Sequence, residues 1–166
     1  MQQSTSLKTF ALVAVSAAAT TFLLQACGGD ANAQSAAPEA NAIEGAWESA
    51  VTIKDCTSGA VLTTFTGESL FHRGGTLTAD NSTPVQTRGL GMGTWTQTAT
   101  GAYTAQFHFL RFNADGSLDG SQKVVRTVTL AADGQSLTAA IAAQQLDVSG
   151  ALLHPICGSE VGTRVY

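Results

Sequence analysis

Charge is scarce in this chain of 166 residues: only 12% are Asp, Glu, Lys or Arg, about half the share usual in a soluble domain. Eight Lys and Arg stand against twelve Asp and Glu, for a net charge of −4, and the cations are scattered singly. The clustered basic surface that nucleic-acid binding needs is missing, so DNA and RNA are excluded as partners. No Gly-x-Ser-x-Gly, HExxH or phosphate-loop motif occurs, and the sequence names no catalytic residue and no cofactor. A convincing amphipathic helix is absent too. The longest apolar run, Phe10 to Leu24, reaches roughly 22 Å as a helix, short of the roughly 30 Å hydrocarbon layer, which argues against a permanent span.

That run has another reading. A polar start with one cation, Lys8, precedes it, and it ends in Leu24-Gln25-Ala26-Cys27, the order of a secretory signal. The Leu-x-Ala-Cys ending resembles a bacterial lipobox. The resemblance implies cleavage before Cys27 and lipidation of its sulfur and new amine; Gly28, rather than Asp, after the cysteine implies the outer membrane. Several acyl chains, at about 0.8 kcal/mol per buried methylene, suffice as an anchor. Residues 28–42 are Gly, Ala, Ser, Asn, Gln, Asp, Glu and one Pro, without a bulky apolar side chain, and read as a flexible tether. The expected organisation is a lipoprotein signal peptide over 1–26, the lipidated cysteine and tether over 27–42, and one folded domain over 43–166. Its expected place is the cell envelope, with the membrane as partner through Cys27.

From Ile43 onward apolar residues alternate instead of recurring at helical spacing, so strands dominate. Trp47, Ser49, Val51 and Ile53 share one face of a first strand, and Phe65, Ser69 and Phe71 line up next. The chain turns at Arg73-Gly74-Gly75, returns through Leu77 and Ala79, and enters a loop from Asp80 to Gly89. Gly93, Trp95 and Gln97 mark a fourth strand; Ala102–Phe112 is a fifth, with Tyr103, Ala105, Phe107 and Phe109 facing together. Asn113–Gly116 and Ala132–Gly134 are turns around strands at Gln122–Leu130 and Ser136–Asp147, and a last strand is predicted from about Glu160 to Val165. Eight strands in simple order predict an all-β, antiparallel up-and-down barrel, because closure removes both exposed edges. A Greek-key β-sandwich is the competing architecture.

Cys56 ends the first predicted strand and Cys157 precedes the last. Those strands are neighbours in a closed barrel and exported chains oxidise, so a Cys56–Cys157 disulfide is expected. Cys-based metal binding lacks a second local pair. His72, His108 and His154 are dispersed by strand parity and loop position, so no metal site is expected.

Gly45-Ala46-Trp47 on the first strand, with Arg164 in the last, resembles the signature of the calycin superfamily of lipocalins, fatty-acid-binding proteins and avidins. The resemblance implies that Trp47 packs beneath Arg164 in a cation–π contact that closes one barrel end. It also implies the barrel fold and a lumen for a small ligand.

Eight strands give a barrel that either fills with its own side chains or holds one small ligand. The inward set predicted by parity mixes Ser69, Gly93, Ala105, Ala139 and Ala143 with Trp95, Tyr103, Phe107 and Phe109, and leaves both outcomes open. Arg126 falls inward between Val124 and Val128, and on this reading no Asp or Glu joins it. A lone buried cation is unfavourable. Either a ligand anion pairs with it, a carboxylate reaches it from a strand end, or the register differs. The expected function is binding of a small apolar or amphipathic molecule, including one with an anionic head, by Arg126, Trp95, Tyr103, Phe107 and Phe109. A filled structural or interaction barrel is the second reading, and a lipid isomerase or cyclase the third. The sequence leaves the oligomeric state open.

Overall fold

Alternating exposure along each strand shows how this sequence curls into a barrel. In the first strand, β1 (Gly45–Lys54), Trp47, Ser49 and Val51 are buried while Glu48 and Ala50 face out, the period-two pattern of a sheet with one wet face. The structure is a computed structural model that describes residues 42–166. The expected signal peptide and nearly all of the tether, Cys27 included, lie outside the described residues.

The remaining strands are β2 (Val61–Phe71), β3 (Thr76–Asn81), β4 (Gly91–Ala99), β5 (Ala102–Phe112), β6 (Leu118–Leu130), β7 (Ser136–Leu146) and β8 (Leu152–Arg164). Each pairs antiparallel with its sequence neighbour, and β1 pairs with β8 from Trp47↔Arg164 to Lys54↔Cys157, closing an up-and-down barrel. The sandwich alternative is thereby excluded. Short Asx turns set the hairpins: Asp55 accepts from the Ser58 amide, Asp115 from Ser117 and Asp147 from Ser149, the local bonding that makes Asp a turn former.

Two strands start earlier than predicted: β6 begins at Leu118 and not at Gln122, and the last strand needs the larger correction. β8 begins at Leu152, well before Glu160, so His154 lies on a strand and not in a loop. Pro155 has no N–H to give to a strand ladder. However, β8 is paired on both sides only from Cys157 onward, and at Pro155 its sole partner is β7; the missing N–H is tolerated where one edge is free. Cys56, likewise, follows β1 in the turn, and Cys157 lies within β8. Their disulfide is formed, with Cα atoms 5.1 Å apart across a sequence separation of 101.

The two barrel ends differ. At the end where β1 starts, Ile43, Trp47, Phe71, Leu77, Trp95, Tyr103, Val128, Leu130 and Leu137 pack into one core. At the other end Phe109, Val124 and Ala143 form a smaller cluster, with Phe107, Ile141 and Ile156 against it. The barrel is filled at one end and hollow towards the other.

Candidate functional site: a one-ended cavity beneath a buried ion pair

Gly45 explains how the filled end closes. Its φ of +124° is a conformation open mainly to glycine, and a Cβ there would stand 2.7 Å from Arg164 Nη1. In the space left free, the Arg164 guanidinium lies 4.4 Å from the Trp47 ring centroid. It donates to the carbonyls of Glu44 (2.6 Å), Ala42 (2.5 Å) and Gly134 (2.9 Å). Trp47 donates to the Ile43 carbonyl at 2.9 Å. Trp47 and Arg164 thus meet and seal this end.

Midway along the lumen lies Arg126, 4% exposed, beside Glu160, 3% exposed. Arg126 Nη1 donates to Ser69 Oγ at 3.0 Å and to both Glu160 carboxylate oxygens at 3.1 Å. The guanidinium carbon is 5.5 Å from the Phe71 ring centroid and 5.1 Å from that of Phe107. Among the described residues, Nε and Nη2 have no hydrogen-bond acceptor. Glu160 corrects the expectation that no carboxylate faces inward. Glu160 lies opposite Val51 and shares strand parity with Gly162 and Arg164. It stands at the start of the predicted last strand, so the parity of Arg164 already places it inward.

A cavity of about 70 Å³ lies along Arg126, Glu160 and Ser69. Its apolar wall includes Val51, Phe65, Phe107, Phe109, Val124, Ile141, Ala143 and Ile156. One water needs roughly 10–15 Å³ measured to its centre, so the space holds several waters or a slender organic group. Of the residues expected to bind ligand, Arg126, Phe107 and Phe109 line it. Trp95 and Tyr103 do not: they pack edge to face, 6.0 Å between centroids, in the filled end. Trp95 donates to the His72 carbonyl at 3.1 Å, and burial pushes the Tyr103 phenol up. Ser69, Ala105, Ala139 and Ala143 are buried as inward residues. Gly93 serves a different purpose from lumen room: a Cβ there would lie 1.9 Å from the Gln106 carbonyl oxygen, so its smallness lets β4 approach β5.

The sequence reading missed Arg88 and Asp80. Arg88 follows a 3-10 turn, Val85–Thr87, and its side chain, 7% exposed, reaches Asp80 Oδ1 at 2.7 Å. Its guanidinium carbon lies 4.1 Å from the Phe109 ring centroid. Burial pulls the Arg88 pKa down, and Asp80 partly restores it. Outside this contact is a wider recess of about 410 Å³, where Arg111 pairs with Asp119. Among the described residues no three His, Cys, Asp or Glu side chains gather as a metal site. His72 bonds Thr78 at 2.9 Å, His108 lies on β5 and His154 on β8.

No protein-family model matches this chain, and no curated protein matches it in sequence.

Proposed function

We propose that this protein is a lipid-anchored, calycin-like barrel of the cell envelope that binds one small amphipathic molecule. The observation that carries the reading is the one-ended cavity: apolar walls around a blind end made of Arg126, Glu160 and Ser69. Pockets for small ligands combine apolar walls with a few fixed polar groups in this way. The ligand's apolar chain lies against Phe107, Phe109, Val124 and Ala143. Because Glu160 already neutralises Arg126, a head group that accepts hydrogen bonds suffices, and a full negative charge is not required. Trp47 beneath Arg164, behind Gly45, supports the calycin-like assignment, and Leu24-Gln25-Ala26-Cys27 supports the anchor. The proposed activity is binding, without catalysis.

The test is calorimetric titration of octanoate and octanol into the wild type and into Ala143→Phe, whose added ring occupies the cavity. The expected result is one-to-one binding to the wild type, lost in a variant that still folds. Equal behaviour of both proteins would end the reading. A Cys27→Ser chain should also leave the membrane fraction when produced in a bacterium that processes lipoproteins.

The filled end favours a second reading, a structural barrel whose remaining cavity holds only water. Absence of binding together with a stability gain in Ala143→Phe would establish it.

A further inference from the structure

The inner cavity and the outer recess share Ile53, Phe65, Asn81, Phe109, Gln122 and Ile156 along their walls, and between them stands Arg88. The chain brings it there deliberately by its local chemistry. The connection after β3 folds through Val85–Thr87 and is stitched to β5 by Gly89 N–H donating to the Leu110 carbonyl at 2.8 Å. Arg88 and Arg111 form an isolated antiparallel bridge. With its backbone fixed, the side chain extends inward across Phe109 and Asp80.

The two lumen arginines are held very differently. Arg126 and Glu160 have side chains 5% and 3% exposed, so separating them leaves two charges without water. Arg88 pairs with Asp80, which is 53% exposed, and donates two long hydrogen bonds, 3.4 Å each, to the Ala79 carbonyl. Swinging Arg88 outward gives up the two weak Ala79 bonds and returns the guanidinium and the Asp80 carboxylate to solvent, where an ion pair is worth little. Its Nε, buried with no acceptor among the described residues in this closed position, gains water on opening. Arg88 is the less firmly held of the two.

We propose that Arg88 is the closure of the inner cavity and the residue that sets ligand length, admitting a single unbranched apolar chain short enough to lie behind it. This rests on the binding reading for the ligand but not for the closure itself. With Arg88 in place the inner space is about 70 Å³. Without its side chain that space joins the recess of about 410 Å³, and longer chains fit.

Two measurements separate the claims. An Ala143→Cys reporter places a thiol on the cavity wall, and its modification by methyl methanethiolsulfonate is followed by intact mass, which also confirms that Cys56–Cys157 remains closed. Arg88→Ala in this background should raise the modification rate at least about tenfold, as for removal of a local barrier to opening. Asp80→Asn, which keeps the arginine and loosens its anchor, should raise it by a smaller factor. Arg88→Met, which keeps the bulk, should stay near the parent rate. Equal rates in all four proteins would overturn the closure, whether or not any ligand binds. The second measurement titrates n-alkyl carboxylates from hexanoate to palmitate into the wild type and Arg88→Ala. The expected result is an optimum that moves to longer chains in the variant, with affinity for the longest rising about tenfold. An unchanged optimum would overturn the length-setting role. Accelerated thiol modification with no binding of any chain to either protein would leave the closure standing and remove the binding reading.

Discussion

Arg126 and Glu160 meet across the lumen from β6 and β8, one nitrogen, Nη1, lying 3.1 Å from each carboxylate oxygen. Removing one partner of a buried pair leaves an uncompensated charge, whereas replacing both with apolar residues is often neutral or stabilising. Arg126→Met and Glu160→Leu, made singly, should each lower stability by about 3–5 kcal/mol, and the double variant should recover most of the loss. Urea unfolding of the four proteins checks this. Additive losses in the double variant would show that the two side chains act independently.

The disulfide joins the turn after β1 to β8 over a separation of 101 residues. A loop of that length should contribute up to about 4.7 kcal/mol by restricting the unfolded chain. The Cys56→Ser/Cys157→Ser protein should unfold at a clearly lower urea concentration, with a loss of roughly 2–5 kcal/mol. A midpoint equal to that of the oxidised wild type would contradict this.

Gly45→Ala tests the closed end. The substitution strains a backbone at φ +124° and drives a methyl group towards Arg164 Nη1, for a loss of about 1–3 kcal/mol. Because Arg164 lies over Trp47, its displacement should also shift tryptophan fluorescence to longer wavelength. A Trp95→Phe background assigns the signal to Trp47. An unshifted spectrum would mean that the arginine keeps its place.

Acid should weaken the barrel through its turns. Backbone and side-chain bonds from Ser58, and the Thr57 amide, hold the Asp55 carboxyl low; Ser117 does so for Asp115, and Ser149 with Ala151 for Asp147. A carboxyl whose folded pKa lies below its unfolded value contributes stability above the unfolded value and loses it as pH falls through the folded one. The loss should therefore begin below about pH 4. Asp55→Asn/Asp115→Asn/Asp147→Asn, whose amide oxygens still accept the turn bonds, should show a shallower fall in urea midpoint between neutral and acid pH. Equal slopes would contradict the assignment.

The barrel was legible because alternation and turn residues are local signals, and the antiparallel order of the strands follows from them. Arg126, Phe107 and Phe109 were placed inward by the same parity. Parity gives the face of a strand but not the height in the barrel, which depends on strand tilt and stagger; Trp95 and Tyr103 face inward and still lie in the filled end. Glu160 shares the parity of Arg164 in the predicted last strand, so its inward face was legible too; the first part of β8 was not, because adjacent Leu152 and Leu153 break the alternation and Pro155 follows them. Arg88 lies on an aperiodic connection. Its contacts with Asp80 and Phe109 exist only once β3 and β5 have been brought together.

The central claim is that the cavity holds a small molecule, and native mass spectrometry of residues 28–166, exported through a bacterial periplasm and never denatured, tests it most directly. The account expects a discrete added mass, one per chain, that organic extraction removes and that Ala143→Phe lacks. A mass equal to the sequence less two protons for the disulfide, unchanged after incubation with an envelope lipid extract, would contradict it.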